Sequence, residues 1–169
     1  MKPNYLICEG EYEESNYLLY REDLLKDCPQ MAGTKRYYHL GIDITAPAKT
    51  PIISPFNGEI VVSEYEPGKG NYGGMIVIEC GNNTEPIYIL IGHLNPSKSK
   101  KVGEFVKEGE IVGELGNETC NGDWWPHAHV QVLTKRGFNE GWIYKGYCCK
   151  DEIDTISEFC LNPLFLLQS

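Results

Sequence analysis

Short apolar runs separated by turn-forming residues dominate the middle of the chain. The clearest runs lie at residues 52–53, 59–62, 75–78 and 87–91. β-Branched and aromatic side chains favour strands, and the glycines and prolines between the runs favour tight turns. From Tyr38 onward the pattern therefore predicts a series of short strands.

The first part of the chain has a different pattern. From about residue 13 to residue 27, apolar side chains recur at a mixed helical spacing, and Ser15 is placed to cap the first turn. This predicts one helix ahead of the β structure. We therefore expect a mainly β fold with a short N-terminal helical lead.

Residues 102–116 repeat a Val-x-x-Gly-Glu cadence that also occurs in lipoyl and biotinyl carriers. Those carriers display a lysine on a hairpin tip, and no such tip is found here. We therefore predict a plain structural hairpin for this segment. The apolar residues 162–167 are expected to dock on the core.

A chain of 169 residues without a clear linker is expected to form a single domain, residues 1–169. Within it we predict a helical lead over residues 1–36, a β core over residues 37–135 and a C-terminal extension over residues 136–169 packed on that core.

Composition narrows the expected partners and location. The formal net charge of −9 repels phosphate backbones and anionic lipid, so neither nucleic acid nor a membrane is an expected partner. The first residues carry no apolar run of the length that a signal peptide or transmembrane helix needs. We therefore expect a cytoplasmic protein, or an extracellular one only through an unconventional export route. Oligomeric state is not readable from the sequence.

The seven cysteines are an odd number, so they cannot all pair. Cys148 and Cys149 are adjacent and would be awkward to bridge to each other. Without a readable export signal, free thiols in a reducing compartment are expected. The cysteines lack Cys-x-x-Cys spacing, which disfavours a structural metal site.

The four histidines carry the strongest chemical signal in the chain. His39 stands four residues before Asp43, and His127 and His129 flank one alanine. His93 lies between these two groups. A catalytic zinc needs three protein ligands and an open position for water. Two histidines and one aspartate would meet that need, with two histidines left for proton transfer, so the inventory indicates a metallohydrolase.

Local geometry supports grouping these residues. His127 and His129 precede apolar residues 130–133, which favour a strand, and residues two apart on a strand share a face. One imidazole can then bind a metal while the other stands beside it. His39 and Asp43 share a face of an extended segment. Taken alone, the histidines could equally be surface residues or residues held by ordinary hydrogen bonds. Asp43 taken alone could equally be an aspartate that accepts hydrogen bonds in a turn.

Further segments accompany the histidine motifs in order, at residues 50–52, 55–61, 71–74, 92–94, 102–109 and 126–132. Together these motifs, over roughly residues 37–133, resemble the lysostaphin/LytM-type zinc endopeptidases. In its overall sequence pattern the chain is similar to family modules that are fused to aminotransferases. The resemblance implies an antiparallel β-sandwich or barrel-sandwich hybrid, with zinc in a groove on one face.

The resemblance also implies a role for each motif residue. His39, Asp43 and His129 would bind Zn²⁺. His93 and His127 would be the catalytic pair, which orients and deprotonates the attacking water and stabilises the developing oxyanion.

Two departures from the family pattern lie around the last histidines. Ala128 stands where leucine is usual, and Val130 and Gln131 stand where phenylalanine and glutamate are usual. Neither change is expected to touch a metal ligand, so we expect both to affect the shape of the groove.

Four further residues are candidates for the walls of the substrate groove. Trp124 and Trp125 belong to a bulky loop just before His127, and Asn71 and Tyr72 belong to an earlier family motif. The alternative for the two tryptophans, that they are packing aromatics, stays open.

The resulting functional hypothesis is a zinc-dependent amide or peptide hydrolase, similar to the endopeptidases that cleave peptidoglycan cross-links, with a peptide or muropeptide as substrate. One alternative is a non-hydrolytic module of the same fold that binds a metal or ligand or regulates a partner. Another is a phosphocarrier, because sugar-phosphotransferase subunits have a similar fold and use paired histidines.

Overall fold

The structure is a computed structural model that describes residues 14–15 and 17–167. Its strands are β1 (Glu14–Ser15), β2 (Tyr38–His39), β3 (Ile42–Thr45), β4 (Pro51–Ile53), β5 (Gly58–Glu66), β6 (Gly73–Cys80), β7 (Ile87–Leu94), β8 (Phe105–Val106), β9 (Ile111–Glu114), β10 (His127–Leu133), β11 (Tyr147–Cys148) and β12 (Cys160–Leu161). Its α-helices are α1 (Glu22–Leu25), α2 (Pro29–Ala32) and α3 (Lys135–Asn139), and 3₁₀ helices span Trp142–Tyr144, Lys150–Glu158 and Pro163–Leu167.

One eight-stranded sheet forms the body of the molecule. Its strand order is β1-β3-β10-β7-β6-β5-β8, with β12 paired to β10. Two small sheets flank it, one from β2 and β11 and one from β4 and β9. All the pairings are antiparallel. The expected mainly β fold is therefore confirmed.

The central strands bury apolar side chains on both faces of the large sheet. Along β6, Ile76 and Ile78 pack into one core cluster, and Met75 and Val77 pack into a second cluster on the other face. This follows from the alternation of side chains along a strand. Each such burial contributes on the order of 1.5–3 kcal/mol, so the apolar runs in β6 and β7 stabilise the centre of the fold.

A short helical lead is present as α1 and α2, but the single helix predicted from residue 13 to residue 27 is wrong. Ser15 lies in strand β1, which pairs with β3, so Ser15 does not cap a helix. Backbone pairing explains the difference: the Leu18 N–H donates to His39 O at 2.6 Å, and the His39 N–H donates to Leu19 O at 3.0 Å. Residues 13 and 16 lie outside the described residues.

The hairpin predicted over residues 102–116 is also wrong. Strand β8 pairs with β5 in the large sheet, whereas β9 pairs with β4 in a small one. A turn separates them, in which the Glu110 N–H donates to Lys107 O at 2.9 Å. The two arms leave this turn toward different sheets.

The end of the chain returns to the core. Leu166 is 3% exposed and packs among the residues of the first core cluster, together with partly buried Leu164 and Leu167. The helices in the described part of the chain all fall short of the length and apolar character that crossing a bilayer requires.

Candidate metal centre

Three neighbouring strands bring His39, Asp43 and His129 together. Strand β10 pairs with β3 in a register that sets His129 opposite Asp43. Side chains directly opposite each other on antiparallel strands lie roughly 5 Å apart, which is close enough for a shared ligand. His39 is in β2, and the short turn through Gly41 returns the chain to Asp43 in β3.

The ligand atoms of these side chains converge. Asp43 Oδ1 lies 3.0 Å from His39 Nε2 and 3.3 Å from His129 Nδ1, and the two nitrogens are 2.9 Å apart. All three residues are buried. The structure thus assembles the set that the sequence predicted, with two nitrogens and one oxygen aimed at one point.

This set fits a zinc ion. Asp43 Oδ1 is buried and accepts no hydrogen bond of suitable geometry from the described residues. A buried carboxylate oxygen without a partner costs free energy unless a cation or donor meets it. Two imidazoles and a carboxylate are the ligands of many catalytic zinc sites, so His39, Asp43 and His129 are the residues that would hold the ion.

Electrostatics keep His39 and Asp43 in the forms that bind a metal. Burial lowers the pKa of His39, which favours the neutral imidazole. Burial alone would raise the pKa of the Asp43 carboxyl, but the neighbouring His39 and His129 hold it well below its usual value. A neutral imidazole and an ionised carboxylate are the protonation states that a metal requires.

Gln131 orients His129, a contact that the sequence reading missed. Its Oε1 lies 2.9 Å from His129 Nε2, which turns Nδ1 of the same ring toward Asp43. Its Nε2 donates to Lys145 O at 3.1 Å and to Trp142 O at 3.3 Å. The expectation that the change at this position affects only the shape of the groove is therefore wrong, because Gln131 touches a predicted metal ligand.

His93 and His127 form a second pair beside the three predicted ligands. Their ring centroids are 4.3 Å apart, and His127 Nε2 lies 3.8 Å from Asp43 Oδ1. His93 Nδ1 is 2.8 Å from Asn121 O, and His127 Nδ1 is 2.7 Å from Trp125 O. A carbonyl only accepts, so each Nδ1 carries the proton and each Nε2 is left as an acceptor.

Burial keeps both rings of this pair neutral. It lowers the pKa of His127 and, together with His127 itself, holds the pKa of His93 well below its usual value. A neutral imidazole whose Nε2 is unprotonated can take up a proton from water and later release it. The pair therefore has the protonation state that a general base needs.

The backbone of His93 adopts a conformation that few residues other than glycine adopt, with φ at 66°. Two hydrogen bonds hold it there: the His93 N–H donates to Tyr72 O at 2.8 Å, and the Gly116 N–H donates to His93 O at 2.9 Å. Strain of this kind gathers at functional sites, where the surrounding structure maintains it. No spacing rule in the sequence could have revealed it.

All four predicted groove residues line a cavity of about 140 Å³ that also contains Asp43 and the paired histidines. Trp125 is 40% exposed and stacks on His127, with the two ring centroids 5.1 Å apart. Trp124 is buried, and its Nε1 donates to Asn71 O at 3.2 Å. Trp125 therefore offers an open wall, whereas Trp124 mainly packs the loop; a role for either in holding substrate stays a prediction.

The buried thiols of Cys80, Cys148 and Cys160 are poorly suited to this chemistry. The six cysteines in the described part of the chain are free, and Cys8 lies outside it. Burial raises the pKa of Cys80, Cys148 and Cys160 to about 12. Such thiols are protonated at neutral pH, and a protonated thiol is a poor nucleophile or metal ligand.

Comparison with known proteins places these residues in a family context. Residues 37–140 match the profile of peptidase family M23. The "Peptidoglycan DD-endopeptidase ShyA" of Vibrio cholerae is 32% identical over 98 residues, which are 57% of this chain and 20% of the relative. The "DD-carboxypeptidase/endopeptidase Mpg" of Neisseria meningitidis is 28% identical over 94 residues, 56% of this chain and 20% of the relative.

The fold is shared with solved structures. The catalytic domain of lysostaphin from Staphylococcus simulans superimposes with a TM-score of 0.61 at 21% identity, covering 95% of this chain and 100% of that one. The chain spans about a fifth of the length of the curated relatives it matches.

Proposed function

The chain belongs to peptidase family M23, and on that premise we propose that it is a zinc-dependent endopeptidase domain that hydrolyses peptide cross-links of peptidoglycan. One observation carries the proposal: His39, Asp43 and His129 converge on a single point, with the neutral His93–His127 pair beside it. Relatives named as peptidoglycan endopeptidases support this choice of substrate.

Within this proposal, zinc at the three ligands would supply a Lewis acid that polarises the scissile carbonyl and activates water. The chain's own residues do the rest. His127 Nε2 faces the centre and can accept the proton of the attacking water, and His93 stands in ring contact with it. His127 can then return that proton to the leaving amine, while His93, in ring contact with it, helps to position the ring.

The cavity walls would hold the peptide. Tyr72 and Trp125 flank the histidine pair, with the Tyr72 ring centroid 5.8 Å from that of His93. Flat aromatic faces can pack against an extended peptide and displace water from the reacting bond. We propose a peptide or muropeptide as the molecule that binds in this cavity. A cytoplasmic location, with neither nucleic acid nor a membrane as partner, stays a prediction.

The metal centre is tested by elemental analysis of the purified protein beside His129→Ala. We expect about one zinc per chain in the native protein and far less in the variant, because the variant loses one of three ligands. Arg136→Ala, at an exposed ion pair with Glu140, is the matched control and should keep its zinc. Native protein that holds no zinc even after zinc is supplied would contradict the proposal.

The reaction is tested by digestion of muropeptides with His127→Ala and His93→Ala. Loss of a general base lowers rates by roughly 10²–10⁴-fold, and we expect such a loss while zinc stays bound. A non-hydrolytic module would show no cleavage by the native protein, and a phosphocarrier would instead form acid-labile phosphohistidine without metal. Either result would replace the hydrolase proposal.

A further inference from the structure

Arg21 reaches the candidate metal centre from outside the region that matches the family, residues 37–140. Its guanidinium donates from Nη1 to Asp43 Oδ2 at 2.6 Å. The Arg21 side chain is 13% exposed and that of Asp43 is 5% exposed, so water screens this ion pair only weakly. The pair is therefore part of the site and distinct from an exposed surface pair.

The backbone of the segment that carries Arg21 is fixed to the strand that carries His39. The Arg21 N–H donates to Tyr37 O at 2.8 Å, and Tyr20 forms an antiparallel bridge with Tyr38. The next residues form helix α1, whose Leu25 is fully buried. Arg21 thus has a defined position relative to the predicted ligands.

The two oxygens of Asp43 face different groups. Oδ2 accepts the hydrogen bond of Arg21, whereas Oδ1 lies 3.0 Å from His39 Nε2 and 3.3 Å from His129 Nδ1. The guanidinium binds Oδ2 and therefore leaves Oδ1 free to face the point where the ligand atoms converge. Arg21 and a cation can bind the carboxylate at the same time, one at each oxygen.

The Arg21 side chain is held from its other side by the groove wall. Its Cζ lies 5.7 Å from the centre of the Trp125 ring, within the range of a cation–π contact. A guanidinium fixed by a carboxylate and an aromatic ring has little freedom to swing into solvent. The contact also ties Trp125, and through it the stacked His127, to the same side chain.

From this geometry we propose that Arg21 is a positioning residue of the metal centre, which holds Asp43 so that Oδ1 alone is presented to zinc. The inference rests on the proposed zinc site. The positive charge of Arg21 repels a second cation, but removal of the guanidinium would leave Oδ2 buried without a partner and the carboxylate free to rotate. Partners of metal-bound carboxylates commonly raise metal affinity, so the positioning effect is expected to dominate.

The test is chelator competition for zinc with the native protein, Arg21→Met, Arg21→Lys and Arg136→Met. Methionine keeps an apolar stem against Trp125 but donates no hydrogen bond. We expect Arg21→Met to bind zinc roughly 10- to 100-fold more weakly, with Arg21→Lys between it and the native protein. Arg136 is exposed and pairs with Glu140 and Glu158, so its variant should match the native protein.

A second readout separates positioning from a general loss of stability. Cobalt at saturating concentration replaces zinc, and its visible absorption weakens as the coordination number rises. We expect weaker absorption in Arg21→Met, because a freed Asp43 can offer both oxygens. Weaker zinc binding with an unchanged cobalt spectrum would overturn the proposal.

Two further outcomes distinguish a failure of the role of Arg21 from a failure of the proposed function. Native protein that binds zinc while Arg21→Met binds it equally well or more tightly overturns the role of Arg21 and leaves the proposed function intact. Native protein that binds no zinc overturns the proposed function, and the role of Arg21 with it.

Discussion

The amide of Gln131 contacts both a hydrogen-bond donor and hydrogen-bond acceptors. Its oxygen faces His129 Nε2, and its nitrogen donates to the carbonyls of Trp142 and Lys145. The side chain is fully buried, so each of these contacts replaces water. A carboxylate at this position would keep the contact with His129 and lose both donated bonds.

We therefore predict that Gln131→Glu destabilises the protein, although glutamate is usual at this position in the family. Lys145 O would lose the Gln131 donor, Trp142 O would keep only the Lys145 N–H at 3.0 Å, and both carbonyls would face an anion. An unsatisfied group of this kind costs on the order of 1–3 kcal/mol. Urea unfolding measures the change. Asn83→Asp makes the same amide-to-carboxylate change at an exposed position and should be nearly neutral.

The buried histidines predict how stability depends on pH in the zinc-free protein. Burial lowers the pKa of both His93 and His127, so below about pH 6.5 the unfolded chain binds protons that the folded chain does not. Their contribution to stability is complete above that pH and is lost as the pH falls through their folded pKa values.

Unfolding of the zinc-free protein in urea at several pH values should therefore show a fall in the unfolding free energy from pH 7 to pH 5. The same series with His93→Gln should fall less steeply, because one buried imidazole is gone. Stability that stays constant over this range would show that the rings titrate alike in the folded and unfolded states, which would contradict a lowered pKa for His93 and His127.

The residues of the site differ in how far the sequence reveals them. The spacings His39 to Asp43 and His127 to His129 encode geometry along one short segment, so they predict shared faces. Arg21 meets Asp43 only through pairing between distant segments, and no local pattern marks it. Gln131 could have been suspected, since side chains two apart on a strand share a face and it lies two residues after His129.

Between β2 and β3, Gly41 allows the backbone to pass close to β10. A Cβ built at Gly41 would lie 2.4 Å from Val130 O and 2.9 Å from His129 Cε1. Both neighbours are buried, and one belongs to a predicted ligand. Any side chain here must push the histidine-bearing strands apart.

Gly41→Ala is accordingly predicted to lower both thermal stability and zinc affinity. Thermal unfolding and zinc competition measure the two effects. Gly33→Ala is the control, because its added Cβ would meet nothing closer than Pro29 O at 3.6 Å. Equal behaviour of the two variants would contradict the close packing of Gly41 against β10.

Among the elements, the central strands were predictable and the edges were not. Strands β6, β7 and β10 follow apolar runs typical of a sheet buried on both faces, and β5 follows a run in which only Ile60 is buried. The segment over 102–116 has the local pattern of a hairpin, but its two strands pair with distant partners. Pairing partners depend on the whole fold, and local pattern does not contain them.

Both ends of the chain contribute to the folded domain beyond the family region. Arg21 precedes that region and contacts Asp43, and Tyr147 follows it and packs against His39 with ring centroids 5.2 Å apart. Tyr147 also pairs with His39 in the β2–β11 sheet. The environment of the predicted ligands is thus built from residues between Arg21 and Tyr147, which is a wider span than the family region.

The last 3₁₀ helix, Pro163–Leu167, should contribute to global stability mainly through the buried side chain of Leu166. Leu166→Ala would leave a cavity in the first core cluster, which typically costs about 2–5 kcal/mol. Its neighbour Phe165 is 42% exposed, so Phe165→Ala should have a much smaller effect. Chemical denaturation of both variants compares them, and equal losses would show that the last turn is not docked as described.

The stacking of Trp125 on His127 gives the molecule an optical reporter of its own state. Indole emission responds to a charge or a change of polarity at the ring face, and this face meets an imidazole of the predicted catalytic pair. Trp142 stacks instead on Phe159 with ring centroids 4.7 Å apart, and Lys145 Nζ lies 4.3 Å from the centre of its ring. Metal loading and protonation should therefore each be visible as a change in native fluorescence, without a label.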